Sequence, residues 1–156
     1  MAKFIFKMQN ILEVKEKLEE QAKGEYAIAI KELELEKEKY QRLEEKRENY
    51  EDKLTDLMHD SLHIAEICHM ENAVEVMKFR MQEQLKIIQI AERKVENARQ
   101  KLNNAMVERK TYEKLKEKAF EEFKIEVNAQ EKKEIDELVS YKFTQKLKMQ
   151  EEWDKE

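Results

Sequence analysis

The sequence has almost none of the residues that form turns: its 156 residues include one glycine and no proline. A globular domain of this length needs several turns, and Gly and Pro are prominent among the residues that form them. The mean hydropathy of −0.95 would fit a disordered chain. However, Glu and Lys are good helix formers, and the apolar residues recur periodically. We therefore expect a chain that is nearly all helix, in very few pieces.

Cysteine and long apolar runs are also scarce. Cys68 is the only cysteine, which excludes an internal disulfide framework and fits a reducing compartment. No apolar run approaches the ~20 residues that span a bilayer, and the first residues do not resemble a signal peptide. We expect a cytosolic protein that can dock on a membrane complex.

Charges of both signs are finely mixed along the chain, with 31 basic and 36 acidic side chains and a net charge of −5. No basic stripe suited to phosphates stands out, so we expect no nucleic-acid partner. The sequence contains no Gly-rich phosphate loop, nucleophile elbow or His-Glu-x-x-His motif. We expect no enzymatic activity, no catalytic residue, no cofactor and no small-molecule substrate.

The second half of the chain carries an apolar repeat with alternating steps of four and three residues. Its positions are 70, 74, 77, 81, 84, 88, 91, 95, 98, 102, 105, 109, 112, 116, 119 and 123. Only Gln84, Arg109 and Lys116 among them are not apolar. This 3.5-residue period is typical of the seam of a coiled coil.

The first half carries a similar repeat. Its apolar members are Phe4, Met8, Ile11, Leu18, Ala22, Tyr26, Ala29, Leu33, Tyr40, Leu43, Tyr50, Leu54 and Leu57, with Lys15, Glu36 and Arg47 as polar exceptions. The steps from Leu18 to Ala22 and from Ala22 to Tyr26 are both four, which predicts a local eleven-residue repeat where the supercoil partly unwinds. Gly24 lies within it, so we expect a bend near residues 22–26.

Folding the chain about residue ~63 brings the two repeats into register, with Tyr50 opposite Met77 and Phe4 opposite Phe123. We predict an all-α fold, a long antiparallel two-helix coiled coil with a C-terminal helix overhang. A single hairpin would cover residues 1–156, with helix 1 at about 3–58, a bend at about 59–69 and helix 2 at about 70–150. Asp60 and Ser61 can cap the second helix. The competing structure is a continuous helix in a parallel dimer.

This register leaves the end of helix 2 without a partner. Residues from 124 to about 150 extend past Phe4 as a single helix that still carries apolar residues such as Ile135, Leu138 and Trp153. An amphipathic helix with exposed apolar residues normally binds a partner. A frayed tail and self-association through the same face are the alternatives.

All three histidines and the cysteine lie within eleven residues at the bend: His59, His63, Cys68 and His69. His59 and His63 are spaced i,i+4 and could share a zinc ion. Cys68 and His69 are adjacent and cannot easily turn to one ion, and paired ligand spacing is absent. We expect a polar tip that binds no metal.

The ends of the chain resemble a known family. The run Phe4-Ile-Phe-Lys-Met-Gln-Asn-Ile-Leu-Glu-Val-Lys-Glu resembles the opening of the bacterial flagellar export protein family FliJ, with its aromatic and basic residues followed by a Gln-x-x-Leu stretch. The segment Glu131-Lys-Lys-Glu-Ile-Asp-Glu-Leu-Val-Ser-Tyr-Lys-Phe143 is similar to the family's Glu-Gln-Lys-x-x-Asp-Glu ending. Lys132 departs from the usual Gln, and Ser140 and Tyr141 stand where a basic residue is common. The resemblance covers essentially the whole chain.

The resemblance implies a component of the flagellar type III protein export apparatus, monomeric on its own and peripherally associated with the cytoplasmic face of the membrane. Its implied partners are the hexameric export ATPase FliI, the export gate protein FlhA and export chaperones. The implied residues on the ATPase side are Phe4, Phe6, Glu131, Lys133, Asp136, Glu137, Val139, Tyr141 and Phe143. The implied residues on the gate side are Leu43, Lys46, Tyr50, Met77 and Arg80. The predicted register places Leu43, Tyr50 and Met77 largely in the seam, which is the alternative role for them, and leaves Lys46 and Arg80 better placed for contact.

Two other classes of function stay open. A generic structural coiled-coil spacer or adaptor would not depend on the overhang. A metal or redox sensor at the bend would depend most on the His/Cys cluster. Whether the protein rotates or only bridges its partners does not follow from the sequence.

Overall fold

A computed structural model of the chain describes residues 2–59 and 63–155. It contains two α-helices, α1 (Gln9–His59, 51 residues) and α2 (Ile64–Trp153, 90 residues), and no strand among the described residues. The two helices pack against each other as an antiparallel helical hairpin, which confirms the predicted fold class. The absence of proline and the abundance of Glu, Lys and Leu allow helices of this length.

Both helices begin at residues other than those expected. α1 begins at Gln9 rather than near residue 3, and the Gln9 N–H donates to the Phe6 carbonyl at 3.2 Å. α2 begins at Ile64 rather than near 70, and the His63 carbonyl accepts from the Ile67 N–H at 3.0 Å. The suggested caps Asp60 and Ser61 lie outside the described residues.

The chain divides into two compact units. The terminal unit comprises Met1–Lys15 and Glu108–Glu156, and the central unit comprises Glu16–Val107. In the terminal unit, Lys15 pairs with Glu108 while Phe4 packs on Phe120 and Phe123. In the central unit, Glu36 bonds to Gln84, whereas residues near 53–57 line a groove with residues near 65–70. In each unit, residues with higher numbers in the first part of the chain contact residues with lower numbers in α2. This order is the one that an antiparallel pair requires.

The repeat predicted for α2 is confirmed by burial. Each of its sixteen positions from Met70 to Phe123 is buried or half-buried. The most buried members are Val74, Met77, Met81, Ile88 and Ala91. They all belong to the central unit, where α1 covers α2.

The repeat predicted for α1 is wrong at Ile11 and Leu18. These two side chains are 42% and 44% exposed, whereas Leu12 is 3% and Glu19 is 5% exposed. With Leu12 and Glu19 in the seam, the steps alternate between four and three without a fault, so the predicted eleven-residue repeat does not occur. A regular heptad accommodates a glutamate because Lys23 approaches its carboxylate, with Nζ 3.8 Å from Oε1. The helix continues through Gly24 without interruption.

The register differs from the prediction by four to seven residues, about one to two helical turns. A fold about residue ~63 would place Gln84 opposite Leu43 and Lys15 opposite Tyr112, but these residues bond to Glu36 and Glu108. The described helices end at 59 and begin at 64, so the fold is centred before residue 63.

The predicted Phe4–Phe123 contact is nevertheless confirmed, with ring centroids 5.4 Å apart. Residues 2–6 are not helical, and an extended chain advances about 3.3 Å per residue against 1.5 Å in a helix. A segment that is not helical can therefore reach farther along α2 than a helix of the same number of residues.

A polar layer in the central unit fixes this register. Gln84 is 8% exposed, and its Nε2 donates to the Glu36 carbonyl at 3.0 Å and to the Glu36 carboxylate. The Gln84 hydrogen bond, with help from Lys39 at 3.1 Å, lowers the pKa of Glu36, against a smaller opposing effect of desolvation. A slipped register would leave the Gln84 amide buried without this acceptor, which is unfavourable.

We expect the substitution Gly24→Ala to stabilise the protein by about 0.5–1 kcal/mol. A Cβ at this position would meet nothing within 4 Å, and Gly24 does not have a positive φ. Urea unfolding followed by circular dichroism measures the change. The matched control is Ala27→Gly at an exposed position of the same helix, which should destabilise by a similar amount. A destabilised Gly24→Ala variant would show that α1 needs a bend here.

We expect Gln84→Leu to raise the pKa of Glu36 towards its usual value, because the largest cause of its lowering is removed. A folded-state pKa below the unfolded one gives stability that is present above the unfolded pKa and lost as the pH falls through the folded pKa. The variant should therefore lose less stability from this group on acidification. NMR titration of the Glu36 carboxyl measures the pKa, and Lys39→Met is a control expected to shift it less. An unchanged pKa in Gln84→Leu would contradict the assigned cause.

Candidate partner-binding surfaces

The C-terminal part of α2 is exposed over its whole length. Among the described residues from 124 to 155, only Val127 is half-buried and all others are exposed. We call residues 124–153 the tail. Its large exposed apolar side chains are Ile125, Ile135, Leu138, Val139, Tyr141, Phe143, Leu147, Met149 and Trp153, the last of them 82% exposed.

The apolar residues of the tail do not continue the seam of the hairpin. In the phase of the seam, the positions after Phe123 are 126, 130, 133, 137 and 140, which hold Glu, Gln, Lys, Glu and Ser. Ile135, Val139, Met149 and Trp153 instead share a different face, at steps that fit four-and-three spacing. The tail therefore has an apolar face of its own, separate from the one that binds α1.

The N-terminal residues pack onto α2 within the terminal unit. The Phe4 ring lies 5.1 Å from Phe120 in an edge-on geometry and 5.4 Å from Phe123, and Phe6 is 8% exposed. A groove of about 520 Å³ runs between this segment and Ala119–Glu126 of α2. These aromatic rings are largely used for intramolecular packing, while Ile5 between them is 77% exposed.

The residues implied for the ATPase side thus fall into two groups. Phe4 is half-buried and Phe6 is buried. The members on the tail are all exposed: Glu131, Lys133, Asp136, Glu137, Val139, Tyr141 and Phe143. Gln145 donates to the Tyr141 hydroxyl at 3.0 Å, so this hydroxyl already has one partner. The set omitted Met149 and Trp153, although their spacing from Ile135 and Val139 places them on the same face.

The residues implied for the gate side are also divided. Met77 is 6% exposed and lies in the seam, while Leu43 and Tyr50 are half-buried. Lys46 and Arg80 are exposed, and within the described chain neither forms an ion pair. The two cations, rather than the apolar members, are therefore accessible to a partner.

His69 of the His/Cys cluster lines a groove of the central unit. This groove has a volume of about 730 Å³ and is lined by Lys53, Asp56, Leu57, Ala65, Glu66, His69 and Met70. Cys68 is exposed. In the described parts of the chain, no three His, Cys, Asp or Glu side chains come together in a way that could hold a metal ion.

No helix in the part of the chain that the structure describes is both long and apolar enough to cross a bilayer.

The fold and these surfaces define a class: a two-helix coiled coil whose longer helix presents a separate apolar face. Residues 4–148 match the family model described as flagellar FliJ protein, and the chain belongs to this family. It is therefore a component of flagellar type III protein export. A flagellar FliJ protein of Bacillus subtilis (strain 168) is 26% identical over 133 residues, which cover 85% of this chain and 90% of that protein.

A solved structure has the same fold. It is a protein of Chlamydia trachomatis that is described as a YscO homologue. Its TM-score to this chain is 0.59, and the sequence identity is 20%. The match covers 88% of this chain and 94% of the solved one. At this identity the likeness concerns the fold alone.

We expect deletion of residues 131–156 to leave the hairpin folded, with a thermal unfolding midpoint close to that of the full chain. The deleted residues that the structure describes are all exposed, so they contribute little buried surface. Circular dichroism measures both midpoints. A chain ending at residue 110 is the control, because it also removes Phe120 and Phe123 from Phe4 and should melt earlier. A large fall in the midpoint on the first deletion would show that the tail belongs to the core.

Proposed function

We propose that the protein is a non-enzymatic coiled-coil stalk of the flagellar export apparatus, which binds the hexameric export ATPase FliI through its tail. The observation that carries this proposal is the apolar face of residues 135–153, which is exposed and out of phase with the seam. Ile135, Val139 and Phe143 are each about 60% exposed, so binding them would bury apolar surface in a partner. Family membership supports the ATPase as that partner.

Charged residues of the tail would orient it against the ATPase. Glu131, Lys133, Asp136 and Glu137 are exposed and form no ion pair among the described residues. Charges at the edge of an interface affect specificity and the association rate more than affinity. We therefore assign affinity to the apolar residues and orientation to these four charges.

A separate contact with the export gate protein FlhA is proposed for the central unit. Lys46 and Arg80 are its accessible members, whereas Met77 supports the seam beneath them. The protein would also bind export chaperones, act as a monomer and reside in the cytoplasm, attached to the membrane through the export apparatus. Family membership supports this assignment.

The substitution Phe143→Ala should weaken binding to the export ATPase by about 1–3 kcal/mol if Phe143 is an anchor residue. Phe143 is 63% exposed in the free protein, so its replacement should not affect folding. Isothermal titration with the purified ATPase measures the affinity. Lys148→Ala is the matched control, because Lys148 lies five residues away, about 1.4 turns, on another face of the same helix.

The double variant Lys46→Glu/Arg80→Glu tests the proposed contact with the gate protein. It should weaken binding to the gate protein and leave ATPase binding unchanged, whereas Phe143→Ala should do the reverse. If neither variant changes either affinity, the chain is a structural spacer without these contacts. If Phe143→Ala weakens gate binding alone, the assignment of the two surfaces is reversed.

A further inference from the structure

The apolar face of the tail has two lysines at its centre. Alternating steps of four and three residues from Ile135 lead to positions 139, 142, 146, 149 and 153, which we call the tail repeat. Lys142 and Lys146 occupy its two central positions. The other four positions hold apolar residues: Ile135, Val139, Met149 and Trp153. This 3.5-residue period is that of a helix that packs along another helix. A partner helix on the tail repeat would therefore meet both lysines in the middle of its contact.

Neither lysine has a carboxylate within reach on its own helix. The positions three and four residues away, which face a helical residue, hold no acid. They are Leu138, Val139, Gln145 and Lys146 around Lys142, and Lys142, Phe143, Met149 and Gln150 around Lys146. Both lysines are exposed, and among the described residues neither forms an ion pair. Both positive charges on the tail repeat are therefore uncompensated within the chain.

The other lysines of the tail differ in this respect. Lys124 pairs with Glu121, with Nζ 3.5 Å from Oε1. The remaining three each have a carboxylate three or four residues further along the helix: Lys132, Lys133 and Lys148. The positive excess of the tail is thus confined to the two lysines on its apolar face.

The hairpin shows how this chain accommodates a lysine at a seam position. Lys15 belongs to the α1 repeat, and its Nζ lies 2.8 Å from a carboxylate oxygen of Glu108 on the facing helix. The Lys15 side chain is 24% exposed, so the facing helix covers much of it. Covering an amine without an opposite charge is unfavourable. By the same chemistry, a helix that covers Lys142 and Lys146 must supply carboxylates opposite them.

We propose that the tail binds a partner helix that carries carboxylates opposite Lys142 and Lys146 within an otherwise apolar face. That this helix belongs to the export ATPase rests on the proposed function, whereas its chemistry rests on the tail repeat. A second copy of the tail fits less well, because no position of the tail repeat holds an acid. A membrane surface also fits less well, because a helix that lies on lipid has its lysines on the polar face.

Trp153 provides the signal for a direct test. It is the only tryptophan, it is 82% exposed, and it ends the tail repeat, so a partner that covers it should shift its emission to shorter wavelength. The probe is a synthetic helical peptide of about 20 residues, as long as the tail repeat, without tryptophan. It has leucines at its a and d positions except for two central glutamates, which lysines replace in its twin. Each peptide is titrated into the full-length protein. We expect the glutamate peptide to bind about tenfold or more tightly than the lysine peptide at low salt, and the difference to shrink as salt is added.

Charge reversal tests whether the two lysines select the peptide. Lys142→Glu/Lys146→Glu should reverse the preference, so that the lysine peptide binds more tightly. Lys146→Glu alone should reduce the advantage of the glutamate peptide. Its matched control is Lys148→Glu, the same change two residues further on and about 160° around the helix, which should leave that advantage unchanged.

Several outcomes would overturn the proposal. Equal binding of the two peptides, or an equal effect of Lys146→Glu and Lys148→Glu, would show that the lysines of the tail repeat select nothing. A shift of Trp153 emission with vesicles of anionic phospholipid and with neither peptide would make a membrane the occupant. A concentration-dependent dimer that Val139→Ser abolishes, with no response to either peptide, would make it a second copy.

Titration of the same variants with the export ATPase separates this inference from the proposed function. An ATPase that binds the unsubstituted chain and Lys142→Glu/Lys146→Glu equally well would contradict the facing carboxylates and leave the proposed function standing. An ATPase that binds neither, while the glutamate peptide keeps its advantage, would contradict the proposed function and assign the acidic helix to another protein. Loss of ATPase binding in the double variant alone, with Lys148→Glu unaffected, is the result expected if both hold.

Discussion

The two helices depend on one apolar repeat of 3.5 residues, since the chain has few other means of forming a core. A pair of helices buries only one layer of side chains between them, and no described hydrophobic side chain is less than 2% exposed. Because every seam position stays near solvent, charged residues can occupy it when their polar ends reach water or a partner. Glu19 and Lys15 are such residues, with Lys23 and Glu108 beside them. The repeat therefore tolerates several polar layers.

These polar layers fix the register of the two helices, which the apolar residues cannot do. Apolar side chains at heptad positions are nearly interchangeable, so a slip by one heptad would still bury them. The Glu36–Gln84 hydrogen bonds and the Lys15–Glu108 pair, at 2.8 Å, exist in one register only. The Glu108 hydrogen bond also raises the pKa of Lys15, which keeps this amine protonated as the pair requires. Apolar burial thus supplies the attraction between the helices, and a few polar contacts supply the register.

The sequence was sufficient for the helices and for most of the seam, because period and composition are local properties. The prediction from the sequence misplaced the first part of the α1 seam. Leu18 is apolar there, but Glu19 keeps the heptad spacing, so the choice of apolar residues and the 3.5-residue period indicated different seam positions. It also missed the change in register of about one to two turns, which depends on where α1 ends and α2 begins rather than on either repeat. At the candidate site it correctly left the tail without a partner in the hairpin. Met77 could not be both seam and binding surface, and burial assigns it to the seam.

The change of phase in α2 separates the hairpin from the surfaces available to partners. If the tail continued the seam, its apolar residues would occupy positions 126, 130, 133 and 137. All four positions hold polar residues instead. Ile135, Val139 and Trp153 lie on a different face, so their exposure is not a by-product of α1 being shorter. A partner can therefore bind the tail without opening the contact between the two helices.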